Sequence, residues 1–262
     1  MRNSRNRWFS LVALSLGLSL AQDCKAESLN ARALATDAGL YVTAPLRWDA
    51  QDWIYFTASA LAVAAAHEVD GSVRDHFASS SSAAPAGQDP NSTRDALPAA
   101  AMVGLTLAAA LALDDSGGYQ ETGSMLEAAA FTALSTTAFK LAAGRLRPNE
   151  TTQVDDWRQG GDSFPSMHTS LTFAIGTVLA ESGNDEYRWI RRTLGYGLSL
   201  AVGYARVHDN VHWTSDVVAG AALGFATGQF VLNRREHSPD RSSFMLMPVP
   251  GGVMVAYTRA MR

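Results

Sequence analysis

Apolar, Ala-rich blocks alternate with polar stretches along most of this chain. Ala, Leu and Met favour helix, and the blocks lack the strict alternation of apolar and polar residues that strands show. The blocks span residues 53–66, 97–113, 125–139, 171–180, 193–204 and 217–232. The pattern predicts an all-α domain of six packed helices.

Two other stretches interrupt this pattern. Residues 71–96 contain four consecutive serines followed by two prolines and a glycine, which predicts a long loop. Residues 244–249 and 253–258 flank a Pro-Gly-Gly turn and predict a short hairpin. We therefore expect a helical domain over residues 27–236 and a C-terminal tail over residues 237–262.

The N-terminal segment has the features of an export signal. Arg2, Arg5 and Arg7 precede an uncharged run over residues 8–21, which is shorter than the ~20 residues that a membrane span requires. We expect residues 1–26 to form a signal, cleaved after Ala21. An uncleaved anchor is the alternative.

Composition narrows the classes of function. Of the 262 residues, 47% are apolar, and 21 Lys plus Arg against 25 Asp plus Glu give a net charge of −4. This balance predicts no nucleic-acid partner. The single cysteine, Cys24, excludes a disulfide framework and a multi-cysteine metal cluster.

Lys140 and Arg147 belong to the first of three stretches that carry chemistry. The chain has two lysines, so Lys140 at the end of an apolar helix is an unusual choice. Arg147 follows seven residues later, about two helical turns, and Pro148 turns the chain into a loop. We expect both cations to converge. The alternative is a helix end carrying cations that suit its dipole.

The second stretch, Ser-Phe-Pro-Ser-Met-His over residues 163–168, leads into the fourth predicted helix. Helix N-termini bind anions, so Ser166 and the Met167 amide are candidate hydrogen-bond donors to an anion, with His168 beside it. The alternative is an N-cap serine and an incidental histidine.

Arg206, His212 and Asp216 form the third stretch, separated by five and three residues. His212 and Asp216 are four residues apart, which is one turn if the stretch is helical, so the carboxylate can hold the imidazole in one tautomer. His208, His212 and Asp216 share a four-residue spacing and could instead bind a metal ion. That alternative leaves the three cations unexplained, and they would repel a divalent ion.

Three cations, two histidines and a carboxylate suffice for phosphoryl transfer without a metal. The cations would neutralise the phosphate oxygens. His212, oriented by Asp216, would attack phosphorus to give a phosphohistidine. His168 would protonate the leaving oxygen and then activate water.

Together the three stretches resemble the type 2 phosphatidic acid phosphatase superfamily, which also includes bacterial class A acid phosphatases and vanadium haloperoxidases. Its pattern is Lys, six residues, Arg-Pro; then Pro-Ser-Gly-His; then Ser-Arg, five residues, His, three residues, Asp. The resemblance covers residues 125–232. Met167 replaces the family's Gly and Ala205 its Ser, which affects substrate range and rate more than reaction type.

The resemblance implies a six-helix bundle of the phosphatase and haloperoxidase type and a phosphatase that uses no metal or cofactor. The expected substrate is a phosphorylated lipid or lipid diphosphate at a membrane. A soluble periplasmic phosphatase acting on small phosphate esters is the main alternative; a haloperoxidase and a non-catalytic scaffold are others. Trp157 and Trp213 flank the motifs and could contact an acyl chain or serve in packing.

A parity argument bears on location. If all six predicted helices span the membrane, the loops that carry the motifs lie on the same side of it. Five arginines (188, 191, 192, 234 and 235) then lie on the other side, which is the cytoplasmic side by the positive-inside rule. A cleaved signal followed by six spans would instead place the site in the cytoplasm. The apolar blocks are 10 to 17 residues long, which is short for crossing the ~30 Å hydrocarbon core of a bilayer. We expect an exported protein with a periplasmic, membrane-associated active site.

Overall fold

The computed structural model describes residues 31–79, 83–183, 185–236, 243–249 and 252–258. The predicted signal, with Cys24, lies outside the described residues. Short 3₁₀ helices lie at Ala44–Arg47 and Asp185–Tyr187. The α-helices of the described part are α1 (Ala31–Val42), α2 (Ala50–Ala78), α3 (Ser92–Leu113), α4 (Ser116–Ala143), α5 (Met167–Glu181), α6 (Arg188–His208) and α7 (Thr214–Glu236).

The six predicted helices correspond to α2 through α7, which confirms the all-α architecture. The hairpin is also present. Strand β1 (Ser243–Val249) pairs with strand β2 (Gly252–Thr258) in antiparallel register, with Val249 opposite Gly252.

The predicted loop over residues 71–96 was too long, because α2 continues to Ala78 and α3 begins at Ser92. Contacts with distant segments hold the last turns of α2. Arg74 Nε donates to the carbonyl oxygen of Pro148 over 3.3 Å, and the Phe77 ring packs edge-on against His208. These contacts outweigh the weak helix propensity of the Gly and Ser residues in this stretch.

Helix α1 was not predicted, and tertiary packing explains its presence. Its Tyr41 ring stacks on Phe131 with centroids 5.0 Å apart, and the Tyr41 hydroxyl is hydrogen-bonded to Thr227. Asp37 accepts a hydrogen bond from Arg234 near the end of α7. The helix is therefore held against α4 and α7.

Helix α5 lies at the centre of the bundle and packs against α3, α4, α6 and α7. Glycines let the neighbouring backbones approach it closely. A Cβ added at Gly176 would lie 2.6 Å from the carbonyl oxygen of Gly195 on α6, and one at Gly224 on α7 would lie 2.2 Å from that of Ser170. No side chain fits at either position, so these glycines set the helix spacing.

The described helices are polar inside and apolar outside to an unusual degree for a water-soluble domain. Met125, Ile175, Val178 and Val231 form part of the core, but many buried side chains carry hydroxyls: Thr122, Thr132, Thr136, Thr172, Thr177 and Ser199. Large apolar side chains are exposed instead, among them Leu97, Leu105, Leu111, Leu134, Leu200 and Trp189. Among the helices that the structure describes, two segments, Ser92–Leu113 and Thr214–Arg234, are long and apolar enough to cross a membrane.

Hydrogen bonds bring the C-terminal half of α2 and the last turns of α4 and α6 to the same end of the bundle as the first turns of α3, α5 and α7. Contacts across this end join Asp70 of α2 to Ser215 of α7, and Ser92 of α3 to His168 of α5. All three sequence motifs lie at this end.

Candidate active site

Lys140 and Arg147 meet at Asp162. Nε and Nη2 of Arg147 donate to the two carboxylate oxygens of Asp162 over 2.8 and 3.0 Å, and Lys140 Nζ donates to the Asp162 carbonyl oxygen. The cations do converge, but not through two helical turns. Helix α4 ends at Ala143, and Gly144 reverses the chain with φ of 55°. A side chain there would be strained and would approach the Arg158 backbone at 3.1 Å.

Arg206 lies fully buried in the last turn of α6, between two carboxylates. Nη1 donates to Asp89 and to Asp95 over 2.9 Å each, and Nη2 donates to the second oxygen of Asp89. Asp89 also accepts from Nη1 of Arg147 over 3.2 Å. The Asp89 carboxylate therefore bridges two of the three cations that the sequence assigns to phosphate.

Hydrogen bonds on two sides hold the loop that carries Asp89 in place next to the site. The Asn149 side-chain amide donates to the carbonyl oxygens of Pro85 and Gln88 over 2.8 and 2.9 Å. On the other side, Ala84 N–H donates to the Asp209 carbonyl oxygen over 2.8 Å. Sequence reasoning missed Asp89, because it lies in the Ser- and Pro-rich stretch and no local pattern marks it.

His212 is buried, and its Nδ1 lies 3.4 Å from Oδ2 of Asp216. Oδ2 of Asp216 also accepts from the Ser163 hydroxyl over 2.5 Å and from the Trp213 N–H over 3.0 Å. Burial lowers the pKa of His212 well below its ordinary value, and the positive charges of Arg206 and Lys140 lower it further. A neutral imidazole that donates Nδ1–H to Asp216 leaves Nε2 with a free lone pair.

His168 lies in the first turn of α5, and its Nε2 lies 3.3 Å from the Ser92 hydroxyl. Burial, with the charge of Arg206, lowers its pKa. Ser166 immediately precedes α5 and is fully buried. The Ser166 N–H donates to the carbonyl oxygen of Asp216 over 3.0 Å, and its hydroxyl oxygen accepts from Thr169. Met167 is the first residue of α5.

The cations of the site change the pKa of the neighbouring carboxylates. Hydrogen bonds from Arg147 lower the pKa of Asp162 to about 2. The Asp162 carboxyl is therefore ionised at neutral pH.

Two further buried residues that the sequence did not flag contact the motifs. Arg145 donates to Asp216 and to Asp70, over 2.7 and 2.8 Å. Trp157 and Trp213 lie on the Arg145 guanidinium, with ring centroids 4.5 and 5.0 Å from Cζ. The contacts of both tryptophans with Arg145 agree with packing, the second of the two roles considered from the sequence.

His208 pairs with Asp209 at 3.1 Å and packs against Phe77 and Tyr204, outside the cluster around His212. In the part of the chain that the structure describes, no three His, Cys, Asp or Glu side chains are placed to hold one metal ion.

Comparison with known proteins agrees with the motifs. A model of the PAP2 superfamily matches residues 121–240. Lipid A 1-phosphatase of Porphyromonas gingivalis is 35% identical over 92 residues, which are 35% of this chain and 19% of that protein. A PA-phosphatase related-family protein of Dictyostelium discoideum is 29% identical over 123 residues, which are 41% of this chain and 45% of that protein.

The matched segments thus span less than half the length of these curated relatives. Among solved structures, Aquifex aeolicus LpxE is 22% identical, with a TM-score of 0.39 over 56% of this chain and 88% of that one. The family match covers all three motifs, and it begins within α4. Over residues 121–240 the chain is thus similar to the PAP2 superfamily, the type 2 phosphatidic acid phosphatase family that its motifs resemble.

Proposed function

We propose that this protein is a metal-independent phosphatase that removes a terminal phosphate from a lipid phosphate or diphosphate through a phosphohistidine. The observation that carries the proposal is the environment of His212. Its imidazole is buried and neutral, is held by Asp216, and lies in the field of three cations. A neutral nucleophile beside several fixed positive charges suits attack on an anionic phosphate.

In the first step, Nε2 of His212 attacks phosphorus while the bond to the leaving oxygen breaks. Lys140, Arg147 and Arg206 neutralise the charge on the phosphate oxygens. His168 gives its proton to the leaving oxygen. The bound phosphate dianion raises the proton affinity of His168, which opposes the lowering by burial and Arg206 in the free enzyme.

In the second step, His168 takes a proton from water, and the resulting hydroxide attacks the phosphohistidine. The P–N bond breaks, phosphate leaves, and the electron pair returns to Nε2 of His212. Asp216 stabilises the imidazole ring in both steps because its carboxylate faces Nδ1. No step requires an oxidant or a metal ion.

The apolar exterior supports a lipid substrate. Exposed leucines along α3, such as Leu97, Leu105 and Leu111, would be costly in water, whereas a membrane would cover them. Two matched relatives are named as a lipid A 1-phosphatase and a PA-phosphatase related protein. A lipid substrate held at the membrane surface could reach the motif end of the bundle.

Five of the helices are longer than the apolar blocks within them and are long enough to span a bilayer, whereas α5, with 15 residues, is shorter than the bilayer core. Helices α2, α3, α4, α6 and α7 have 29, 22, 28, 21 and 23 residues. At ~1.5 Å per residue, 21 residues already extend about 31 Å. We propose that the bundle is embedded in the membrane with its motif end towards the periplasm, because Arg188, Arg191, Arg192 and Arg234 lie at the opposite end.

The central test compares His212→Ala, His168→Ala and His208→Ala in purified full-length protein. His212→Ala should abolish phosphate release from phosphatidate and from p-nitrophenyl phosphate. His168→Ala should turn over slowly and accumulate an acid-labile, alkali-stable phosphoenzyme from the nitrophenyl ester. His208→Ala is the matched control and should keep its rate. Full activity of His212→Ala would refute the mechanism.

Two further measurements separate the alternatives. Release of phosphate from small esters alone, by a soluble fraction, would favour the soluble periplasmic phosphatase. A reporter active only in the cytoplasm, fused after Arg235, should give a signal. Silence there, with helices accessible to external protease, would instead indicate a periplasmic bundle.

A further inference from the structure

Arg145 connects Asp216 to a second buried carboxylate, Asp70. Nη1 of Arg145 donates to Oδ1 of Asp216 over 2.7 Å, and Nη2 donates to Oδ2 of Asp70 over 2.8 Å. All three side chains are fully buried. Ser215 closes the cluster, because its hydroxyl accepts from Arg145 and donates to Asp70.

The guanidinium in this cluster has little freedom. Trp157 lies on it at 4.5 Å and Trp213 at 5.0 Å, and the Val154 carbonyl oxygen accepts from Nη2 over 2.9 Å. The Asp70 carboxylate is fixed as well, since its Oδ1 accepts from the Ser215 N–H over 2.9 Å. A planar group that is stacked and hydrogen-bonded on both edges holds its partners in one orientation.

This arrangement assigns the two oxygens of Asp216. Oδ1 is taken by Arg145, which leaves Oδ2 towards His212, with Ser163 and the Trp213 N–H as its other donors. A rotation of the carboxylate would break the contact with Arg145. Arg145 therefore fixes the oxygen that receives Nδ1–H of His212.

The second carboxylate affects charge as well as geometry. A single buried Arg–Asp pair would neutralise Asp216 and weaken its attraction for the positive imidazole ring of the phosphohistidine. Because Asp70 also binds Arg145, the positive charge is shared between two carboxylates. Asp216 thus keeps negative charge for His212 while its position stays fixed.

We propose that Asp70 and Arg145 are positioning residues of the active site, acting on His212 through Asp216. The proposal rests on the phosphatase function proposed above. It predicts an effect on the chemical step, because neither residue contacts the phosphate-binding cations. A role only in holding α2 to α7 would change stability and leave the chemistry of the folded protein unchanged.

The test uses the full-length protein with Asp70→Asn, Arg145→Lys and Arg145→Met. The control is Glu121→Gln, which alters a carboxylate that accepts from Arg191 and Ser182 at the far end of the bundle. With p-nitrophenyl phosphate, Asp70→Asn should lower kcat about 10- to 100-fold, as loss of a partner that orients an active-site group does. KM should change less than about threefold. Arg145→Lys should retain more activity than Arg145→Met, and Glu121→Gln should keep kcat.

A spectroscopic measurement decides the proposal independently of turnover, and so covers an Arg145→Met variant that fails to fold. The imidazole ¹⁵N and Nδ1–H resonances of His212 should shift in folded Asp70→Asn and stay in place in Glu121→Gln. Unchanged His212 resonances, or a wild-type kcat in Asp70→Asn, would overturn the positioning role. A wild-type protein that hydrolyses no phosphate ester would refute the proposed function, and the resonances would still decide whether Asp70 acts on His212.

Discussion

Replacing Asp89 by Asn should make the site bind phosphate and vanadate more tightly. In the structure Asp89 accepts two hydrogen bonds from Arg206 and one from Arg147, the same donors that a phosphate would use. Burial raises the pKa of Asp89, but hydrogen bonds and charge from Arg206 and Arg147 outweigh it and hold the pKa below its ordinary value. The carboxylate is therefore ionised at neutral pH and competes with any incoming anion.

The size of the effect follows from these contacts. A hydrogen bond to a charged group contributes about 1.5–3 kcal/mol net. Three such contacts are lost or weakened, but the Asp89 side chain is 18% exposed and an amide oxygen can still accept. We therefore take the free energy of one such hydrogen bond, about 1.5–3 kcal/mol, as the total gain in binding free energy. It corresponds to a decrease of roughly 10- to 150-fold in the inhibition constant of vanadate.

Competition by vanadate and by inorganic phosphate against a chromogenic ester at pH 7 gives these inhibition constants. Asp75→Asn is the control, because Asp75 pairs with Arg74 and its side chain is 72% exposed. The advantage of Asp89→Asn should disappear below the lowered pKa of Asp89, where the wild-type carboxyl is protonated. Unchanged or weaker vanadate binding in Asp89→Asn at pH 7 would refute the competition.

Three other outcomes are expected. The pH profile of kcat/KM should have its acid-side midpoint below pH ~6.5, because the nucleophile must be neutral and burial and nearby cations lower the pKa of His212. A midpoint at or above pH ~6.5 would contradict a lowered pKa of His212. Activity should survive dialysis against chelators and be blocked by vanadate, whereas loss of activity that zinc restores would favour a metal site. Gly176→Val should lower the melting temperature through a clash with Gly195, at a cost of about 1–3 kcal/mol or more, while Gly197→Ala, with nothing within 4 Å, should not.

The helices and the motif residues could be predicted because their signals are local. Ala-rich blocks indicate helix wherever they occur, and the four-residue spacing of His212 and Asp216 is read directly from the chain, although α7 begins only at Thr214, between them. The ends of α2 could not be predicted in this way. Its last turns are held by Pro148 and His208, which lie 74 and 131 residues after their partners Arg74 and Phe77.

Asp70 and Asp89 were missed for the same reason, because their partners lie far away along the chain. Asp70 precedes Arg145 by 75 residues, and Asp89 precedes Arg206 by 117. An isolated aspartate in a helix or a polar loop is ordinarily solvated, so nothing near Asp70 or Asp89 marks either as a partner of a buried arginine. Their roles appear only when the helix ends are brought together.

The exposure of the three carboxylates indicates which of them gives way to phosphate. An uncompensated guanidinium as buried as that of Arg206 would be unstable, so Arg206 requires counter-charges whether or not a substrate is bound. Asp95 is 3% exposed, whereas the side chains of Asp89 and Asp162 are 18% and 63% exposed. A buried carboxylate cannot regain its hydration when displaced, and an exposed one can. We therefore expect Asp95 to stay paired with Arg206 when a phosphate binds, and Asp89 and Asp162 to give up their hydrogen bonds so that Arg206 and Arg147 can donate to the phosphate.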